Sequence, residues 1–398
     1  MSRPPPPAPV HLLRGHTAAI TALSISDDNE RVYSGDASGN VIISSTRTLR
    51  AISSWNPHTD SILGVEEFGS NIVTDHKLHV WTRIEDLPSE QRVGGSATMS
   101  AVSTPTLSYS MDVNALNYCR LSLLALPDIS EETATSSGSQ RELIALPNLV
   151  DSSTADIWLL PQCDRLHAAI GKDSDKPIFT NGKPSTGIIM SLHLYSNSET
   201  ASVNSPTSLR LLCAYENGSV ALRKYTRDYQ LKSVEGKGWD IIWTHKAHVE
   251  TIMAMTVSKT NTFALTVSVD HLIGRYELTE DKSPVHSTHR TKHAGNACIA
   301  LRDDGKVCAV GGWDGSIRLF STKSFKSLGA LKYHKASCQA LTFAHYDPAN
   351  DTDKGASIDK EEDEDDLDEI DEAERSLWLL AGGKDNRLSI WSLITFDS

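Results

Sequence analysis

The sequence has no apolar run long enough to cross a bilayer, no paired cysteines and no catalytic signature. A membrane-spanning helix needs about 18 consecutive apolar residues, and the 398 residues contain no such run. The six cysteines form no CxxC pair and mostly lie in apolar stretches, so buried free thiols in a reducing compartment explain them best. Neither a GxSxG nucleophile elbow nor a phosphate-binding P-loop is present. These absences favour a non-catalytic protein inside the cell, with no membrane partner.

The acidic residues are concentrated in one segment. The formal net charge is −13, and residues 359–375 carry most of it, with twelve acids and two bases. The remainder is nearly balanced, so we expect no direct contact with nucleic acid. A run this acidic and without aromatic residues should be disordered. It is either a solvated loop without a function of its own or a contact for a basic partner.

A short pattern recurs along the chain, in which an aspartate is followed six residues later by an aromatic residue. Its four copies are Asp75/Trp81, Asp270/Tyr276, Asp314/Phe320 and Asp385/Trp391. Histidines precede three of these copies. The spacing is 42 residues from His16 to His58, 45 from His248 to His293 and 41 from His293 to His334. Such a period predicts four-stranded propeller blades. We therefore predict an all-β fold, a seven-bladed WD-repeat β-propeller that serves as a binding scaffold.

The ends of the chain suggest how the propeller closes. Residues 1–9 are predicted to be a disordered proline-rich tail, and residues 10–398 a single propeller domain. Residues 10–13 have no blade of their own, and the last blade lacks an outer strand. The N-terminal strand should therefore complete the last blade and cover its edge. Deleting residues 1–14 should destabilise the fold.

The four strands of a blade are labelled a to d in chain order. Most of them can be placed from short apolar runs between turn residues. In blade three we expect strand a at residues 113–119 and strand b at residues 143–146. Four segments should be disordered loops: residues 83–110, 127–141, 196–208 and 350–375. Three of them, 127–141, 196–208 and the acidic run, should join strands a and b, whereas 83–110 and 161–185 should connect one blade to the next.

Within each blade a histidine, a hydroxyl, an aspartate and an aromatic residue should form a buried hydrogen-bonded network. Its members are His16, Asp75, Trp81, His248, Thr266, Asp270, His293, Asp314, His334, Asp385 and Trp391. The repeats are degenerate, because blade one has Ser38 at the aspartate position and blade seven has Ala381 where a hydroxyl is expected. A trio that recurs in several blades indicates structure rather than hydrolysis.

Two further features were considered as sites. His286, His289 and His293 could bind zinc, but no cysteine or carboxylate completes a recognised spacing, so we expect no metal and no cofactor. Trp313 lies in a turn between strands b and c and is a candidate partner contact. The alternative is that this tryptophan folds over its own blade.

Six segments resemble the ASTRA-associated protein family, whose animal relatives are G-protein β-subunit-like WD-repeat proteins. They are residues 34–39 (SGDASG), 75–81 (DHKLHVW), 113–117 (VNALN), 144–151 (IALPNLVD), 186–191 (TGIIMS) and 309–315 (AVGGWDG). The segments at 113–117 and 144–151 discriminate best, because a generic repeat gives no reason for them.

The resemblance implies a non-enzymatic adaptor subunit of the ASTRA assembly, linked to chromatin remodelling and to maturation of phosphatidylinositol-3-kinase-related kinases. Its partners would be the cochaperone trio, a kinase-like subunit and AAA+ ATPases. The expected compartment is the nucleus, with the cytoplasm as a second one. Two alternatives stay open: a histone-binding propeller, and a G-protein β-like signalling adaptor, which the short proline-rich start disfavours.

Overall fold

The computed structural model describes residues 7–74, 77–84, 103–114, 116–126, 141–172, 186–196, 209–227, 232–280, 286–346 and 372–393. These residues form 28 strands in seven four-stranded sheets, together with one helical turn at residues 372–375. None of the described helical residues belongs to a helix long and apolar enough to span a membrane. Contacts divide the chain into two compact units, Met1–Ser110 with Ala300–Ser398, and Met111–Ile299.

Each of the first three blades consists of four strands that are consecutive in the chain. Blade one contains β2 (Ile20–Ile25), β3 (Arg31–Asp36), β4 (Val41–Ser45) and β5 (Ala51–Trp55). Blade two contains β6 (Val65–Phe68), β7 (Asn71–Thr74), β8 (Leu78–Thr82) and β9 (Thr106–Met111). Blade three contains β10 (Ser122–Ala125), β11 (Glu142–Pro147), β12 (Ala155–Leu160) and β13 (Asp164–Ile170).

The next three blades repeat this order. Blade four contains β14 (Ile189–Ser196), β15 (Leu209–Tyr215), β16 (Ser219–Tyr225) and β17 (Trp239–Lys246). Blade five contains β18 (Ile252–Val257), β19 (Phe263–Ser268), β20 (Leu272–Glu277) and β21 (His286–Arg290). Blade six contains β22 (Asn296–Leu301), β23 (Val307–Gly312), β24 (Ser316–Ser321) and β25 (Ser327–Lys332).

Blade seven combines the two ends of the described chain. It contains β26 (Cys338–Phe343), β27 (Trp378–Gly383), β28 (Leu388–Ser392) and, as its outer strand, β1 (His11–Leu13). β1 runs antiparallel to β28, with His11 opposite Ile390 and Leu13 opposite Leu388. The fold class is therefore confirmed as an all-β, seven-bladed WD-repeat β-propeller with an N-terminal strand that completes the last blade. That residues 10–398 form a single domain stays a prediction.

The core follows from the position of each strand within its blade. The second strands of blades three to seven are buried at every position, because each lies between two strands of its own sheet. The outer strand β21 instead alternates between exposed and partly buried residues, the pattern of a sheet edge with one solvated face. In one core cluster, β2 and β3 of blade one pack against β26 to β28 of blade seven, with Leu13 of β1 beside them.

The predicted first strand of blade three is wrong. The described residues of this range, 113–114 and 116–119, are not in a strand, and β10 begins at Ser122 instead. The reason is local side-chain bonding, since the Asn114 side chain accepts from the Leu116 amide (3.0 Å) and the Asn117 side chain accepts from the Cys119 amide (2.8 Å). Asparagine side chains that bond the backbone two residues on favour turns over strands.

Two of the predicted connections contain outer strands. β9 lies inside the predicted loop 83–110 except for its last residue, Met111, and β13 lies inside the predicted connection 161–185. The sequence of β9 (TLSYSM) is rich in hydroxyl residues because an outer strand faces solvent, and that composition resembles a loop. Of the predicted disordered segments, residues 1–6, 85–102, 127–140, 197–208 and 350–371 lie outside the described residues.

The end of the acidic segment is ordered, contrary to the prediction for residues 350–375. Residues 372–375 form a helical turn, and the side chain of Arg375 is only 1% exposed. Its Nη1 donates to Thr46 Oγ1 (2.9 Å) and to Glu30 Oε1 (3.0 Å). A buried guanidinium needs such partners, and here blade one supplies them. The C-terminal end of the acidic run is therefore fixed to blade one.

Candidate functional site

The repeat network of blade one is built on Asp36. His16 Nδ1 donates to Asp36 Oδ2 (2.7 Å), and the Ser34 hydroxyl lies 2.8 Å from His16 Nε2. Burial lowers the pKa of His16, although the Asp36 carboxylate acts in the opposite direction, and a neutral imidazole fits this pairing. The other carboxylate oxygen of Asp36 accepts from the amides of Ser38 and Asn40. Asp36 is therefore the aspartate of the blade-one network, although the sequence repeat had placed Ser38 at that position.

Blade five brings together the members predicted from the sequence. His248 Nδ1 donates to Asp270 Oδ2 (3.0 Å), and Thr266 Oγ1 lies 2.8 Å from His248 Nε2. Thr266 is directly opposite Gly274 in the neighbouring strand. A Cβ at Gly274 would lie 2.6 Å from Thr266 Oγ1, so the glycine leaves the space that the hydroxyl occupies. Tyr276 is buried at the tryptophan position.

Blade seven completes its network with a hydroxyl from a different strand. His334 Nδ1 donates to Asp385 Oδ1 (2.9 Å), and His334 Nε2 lies 2.9 Å from Ser389 Oγ. Trp391 Nε1 donates to the same hydroxyl (2.9 Å). Ser389 is directly opposite Ala381, the position where a hydroxyl was expected. Blade seven therefore carries all four groups, and the expectation that it lacks the hydroxyl was wrong.

Replacing Ser389 with alanine should lower the free energy of unfolding by about 2 kcal/mol, because the buried His334 Nε2 and Trp391 Nε1 lose their hydrogen-bond partner. In the double variant Ala381→Ser/Ser389→Ala, the hydroxyl returns to the opposite strand and should restore at least half of that loss. Urea unfolding of both variants measures this. If the double variant is less stable than Ser389→Ala alone, the two positions are not equivalent.

Blade two links three of its side chains through one hydroxyl. Thr74 Oγ1 lies 3.0 Å from His58 Nε2 and accepts from Trp81 Nε1 (3.4 Å). His58 was not among the predicted network members, although its spacing from His16 was recognised. Asp75 lies outside the described residues.

In blade six the predicted pairing of His293 with Asp314 is wrong. The Asp314 carboxylate accepts from Arg318 Nη1 (3.2 Å) and Nη2, and from the Ser316 amide (3.0 Å). Burial opposes this, but the hydrogen bonds from Arg318 and Ser316 hold the pKa of Asp314 below its usual value. His293 is exposed, and its imidazole has no hydrogen-bond partner among the described residues. Arginine on strand c replaces histidine as the partner of the turn aspartate.

The two other candidate sites are the histidine cluster and Trp313. His286 lies on β21 with its ring 3.3 Å from that of His245, centroid to centroid, whereas His289 bonds Ser287. Within the described ranges no group of three or more His, Cys, Asp or Glu side chains is arranged to hold a metal ion. Trp313 is 50% exposed, so half of its surface remains available for contact.

Two loops of blade three are tied together by asparagine side chains. Asn114 Nδ2 donates to the Asn148 carbonyl (2.7 Å) and to Ser152 Oγ (2.9 Å). Asn117 Nδ2 donates to the Ser152 carbonyl (3.3 Å). The segment that precedes β10 therefore lies against the turn that joins β11 to β12. Both belong to the unit Met111–Ile299.

The turn between β11 and β12 is itself held by Asn148. Its Oδ1 accepts from the amides of Val150 and Asp151 (3.0 Å each), and its Nδ2 donates to Asp156 Oδ1 (2.9 Å). Asn148 is buried, so these bonds are protected from water. The turn consequently presents its side chains on a fixed backbone.

These two loops expose a cluster of large apolar side chains, which we call the blade-three surface. It comprises Leu116 (84% exposed), Tyr118 (72%), Leu149 (42%) and Val150 (92%). All four lie within four residues of the contact between Asn114 and Asn148. Grouped apolar exposure on a rigid support is typical of protein interaction sites, whereas single exposed apolar residues are common everywhere.

The chain is similar to known WD-repeat proteins. The family "WD domain, G-beta repeat" matches residues 7–43 and 284–321. ASTRA-associated protein 1 of Aspergillus niger is 31% identical over 98% of this chain and 98% of the relative. The chain belongs to the ASTRA-associated protein 1 family.

Other relatives span the chain to a similar extent. ASTRA-associated protein 1 of Verticillium alfalfae is 29% identical over 98% of this chain and 94% of its own. The mouse guanine nucleotide-binding protein subunit beta-like protein 1 is 25% identical over 98% of this chain and 97% of its own. The resemblance seen in the sequence, including its animal branch, is therefore confirmed.

In this member of the ASTRA-associated protein 1 family, the two segments that discriminate best have a shared structural role. Residues 113–117 and 144–151 supply Asn114, Asn117 and Asn148, whose side chains fix the two loops that carry the blade-three surface. Sequence reasoning recognised the segments but missed the surface. The sequence pattern that could have revealed this surface is the three asparagines next to apolar residues, in a blade without a repeat histidine.

Proposed function

We propose that this chain is a non-catalytic adaptor subunit of the ASTRA complex, and that the blade-three surface binds another subunit of that complex. The observation that carries the proposal is the exposure of Leu116, Tyr118 and Val150 on loops fixed by buried hydrogen bonds. A preformed apolar surface binds a partner at a low cost in conformational entropy. The fungal relatives are named ASTRA-associated protein 1, which supports the choice of this complex.

The wider role follows from the same proposal. As an ASTRA subunit the chain acts in the nucleus, in processes linked to chromatin remodelling and to maturation of phosphatidylinositol-3-kinase-related kinases. Its contribution is to hold partner proteins together. The partners on this proposal are the cochaperone trio, the kinase-like subunit and the AAA+ ATPases of the complex.

Affinity purification of the tagged chain followed by mass spectrometry tests both parts. We expect wild type to recover ASTRA subunits, and the triple variant Leu116→Ser/Tyr118→Ser/Val150→Ser to recover at least about tenfold less of its direct partner. The thermal midpoint should stay unchanged, because the three side chains are exposed.

The matched control is Val234→Ser/Val249→Ser, which removes exposed apolar side chains (61% and 79% exposed) elsewhere in the same unit. This control should recover the subunits as wild type does. Full recovery with the triple variant would remove the blade-three surface from the proposal. Recovery of a G-protein γ subunit in place of ASTRA subunits would overturn the adaptor assignment and favour the signalling alternative raised by the name of the mouse relative.

A further inference from the structure

Three loops of blades six and seven touch one another around Trp313. The turn at residues 313–315 approaches the loop before β26 so closely that a Cβ at Gly315 would lie 2.4 Å from the His334 carbonyl oxygen. The Lys335 amide donates to Asp385 Oδ2 (3.3 Å), and the Lys384 amide donates to the Ser337 carbonyl (2.8 Å). These contacts place Lys335 between the turn that carries Trp313 and the turn that carries Lys384.

Two arginines lie next to these three loops. The pairing of β1 with β28 ends at Leu13 opposite Leu388, and Arg14 and Arg387 are the residues next to this last pair. Arg387 Nη1 donates to the hydroxyl of Tyr333 (2.9 Å). We call the set of Arg14, Trp313, Tyr333, Lys335, Lys384 and Arg387 the basic surface.

The charge of the basic surface is positive. Arg14, Lys335 and Lys384 are exposed, and within the described residues none of them forms an ion pair with a carboxylate. The two nearby carboxylates are both engaged, Asp314 by Arg318 and Asp385 by His334. Cations concentrate here in a chain whose net charge is −13.

We propose that the basic surface binds an aspartate- and glutamate-rich peptide segment of a partner protein. Carboxylates would bond the exposed lysine and arginine groups, and Trp313 would pack against the apolar part of the peptide. A short acidic peptide experiences the local positive field, whereas a long nucleic acid would also meet the negative charge of the rest of the chain. This site is separate from the blade-three surface and does not depend on it.

The test uses the full chain and a fluorescein-labelled twelve-residue peptide with eight Asp or Glu residues and one leucine. Fluorescence anisotropy should show saturable binding that weakens as salt is raised. The variant Lys335→Glu/Lys384→Glu should bind about tenfold or more weakly. Trp313→Ala, which leaves the charge unchanged, should bind about fivefold or more weakly.

The matched control is Lys323→Glu/Lys326→Glu, which makes the same change in net charge at exposed lysines of blade six. It should bind within about twofold of wild type. The inference is overturned if wild type shows no saturable binding, if the control loses as much affinity as Lys335→Glu/Lys384→Glu, or if a twelve-base-pair DNA duplex binds more tightly than the peptide. The triple variant of the blade-three surface should retain peptide binding, which separates a failure here from a failure of the proposed function.

Discussion

Deleting residues 1–14 is expected to lower the free energy of unfolding by about 5 kcal/mol and the thermal midpoint by about 5 °C. The deletion removes β1 and with it the pairing that covers β28, including the bond from the Val10 amide to the Ile390 carbonyl (2.8 Å). It also removes Leu13 from the core of blades one and seven, and the edge-on contact of the His11 ring with Trp378. Circular dichroism gives the midpoint, and hydrogen exchange should show lost protection in β28.

A shorter deletion, of residues 2–8, provides the control because it leaves β1 and Val10 in place. Its midpoint should equal that of wild type. A synthetic peptide of residues 7–16, added in excess to the 1–14 deletion, should restore part of the lost stability by re-forming the outer strand. An unchanged midpoint in the 1–14 deletion would contradict the role of β1 in stabilising the fold.

Replacing Arg375 with alanine is expected to lower the free energy of unfolding by about 3 kcal/mol. The guanidinium is buried, and its removal leaves Thr46 Oγ1 and one oxygen of Glu30 without this donor. Urea unfolding measures the loss. The stability of this chain would then depend on a residue inside a segment that its composition marks as disordered.

Arg47 offers a matched comparison, because it bonds the same carboxylate. Its Nε donates to Glu30 Oε2 (2.6 Å), but its side chain is 50% exposed. Arg47→Ala should therefore cost less than about 1 kcal/mol. Equal losses in the two variants would show that burial of Arg375 adds nothing to the interaction.

The regular part of the fold could be predicted because its signals are local. An apolar run between turn residues placed the second strand of blade three at residues 143–146, within one residue of β11 at each end, and the closure by residues 10–13 followed from a missing outer strand. The prediction of the first strand of blade three was wrong because the side chains of Asn114 and Asn117 bond backbone amides two residues on. The apolar content of the segment gives no sign of these bonds.

The site residues that escaped prediction act through partners distant in sequence or on another strand. Ser389 replaces the hydroxyl missing at Ala381, which depends on strand register rather than on repeat position. Arg375 is buried only because Glu30 and Thr46 of blade one lie beside it. The blade-three surface likewise required the contact of Asn114 with Asn148, which no spacing in the sequence indicates.

The pairing of β1 with β28 also limits the order in which this chain can fold during synthesis. β1 is made before every other described strand, whereas its partner β28 is made after all of them. Until β28 is translated, β1 has no strand to pair with, so blade seven can be completed only after β28 has been made. During synthesis β1 therefore waits longer for its neighbour in the sheet than any other described strand.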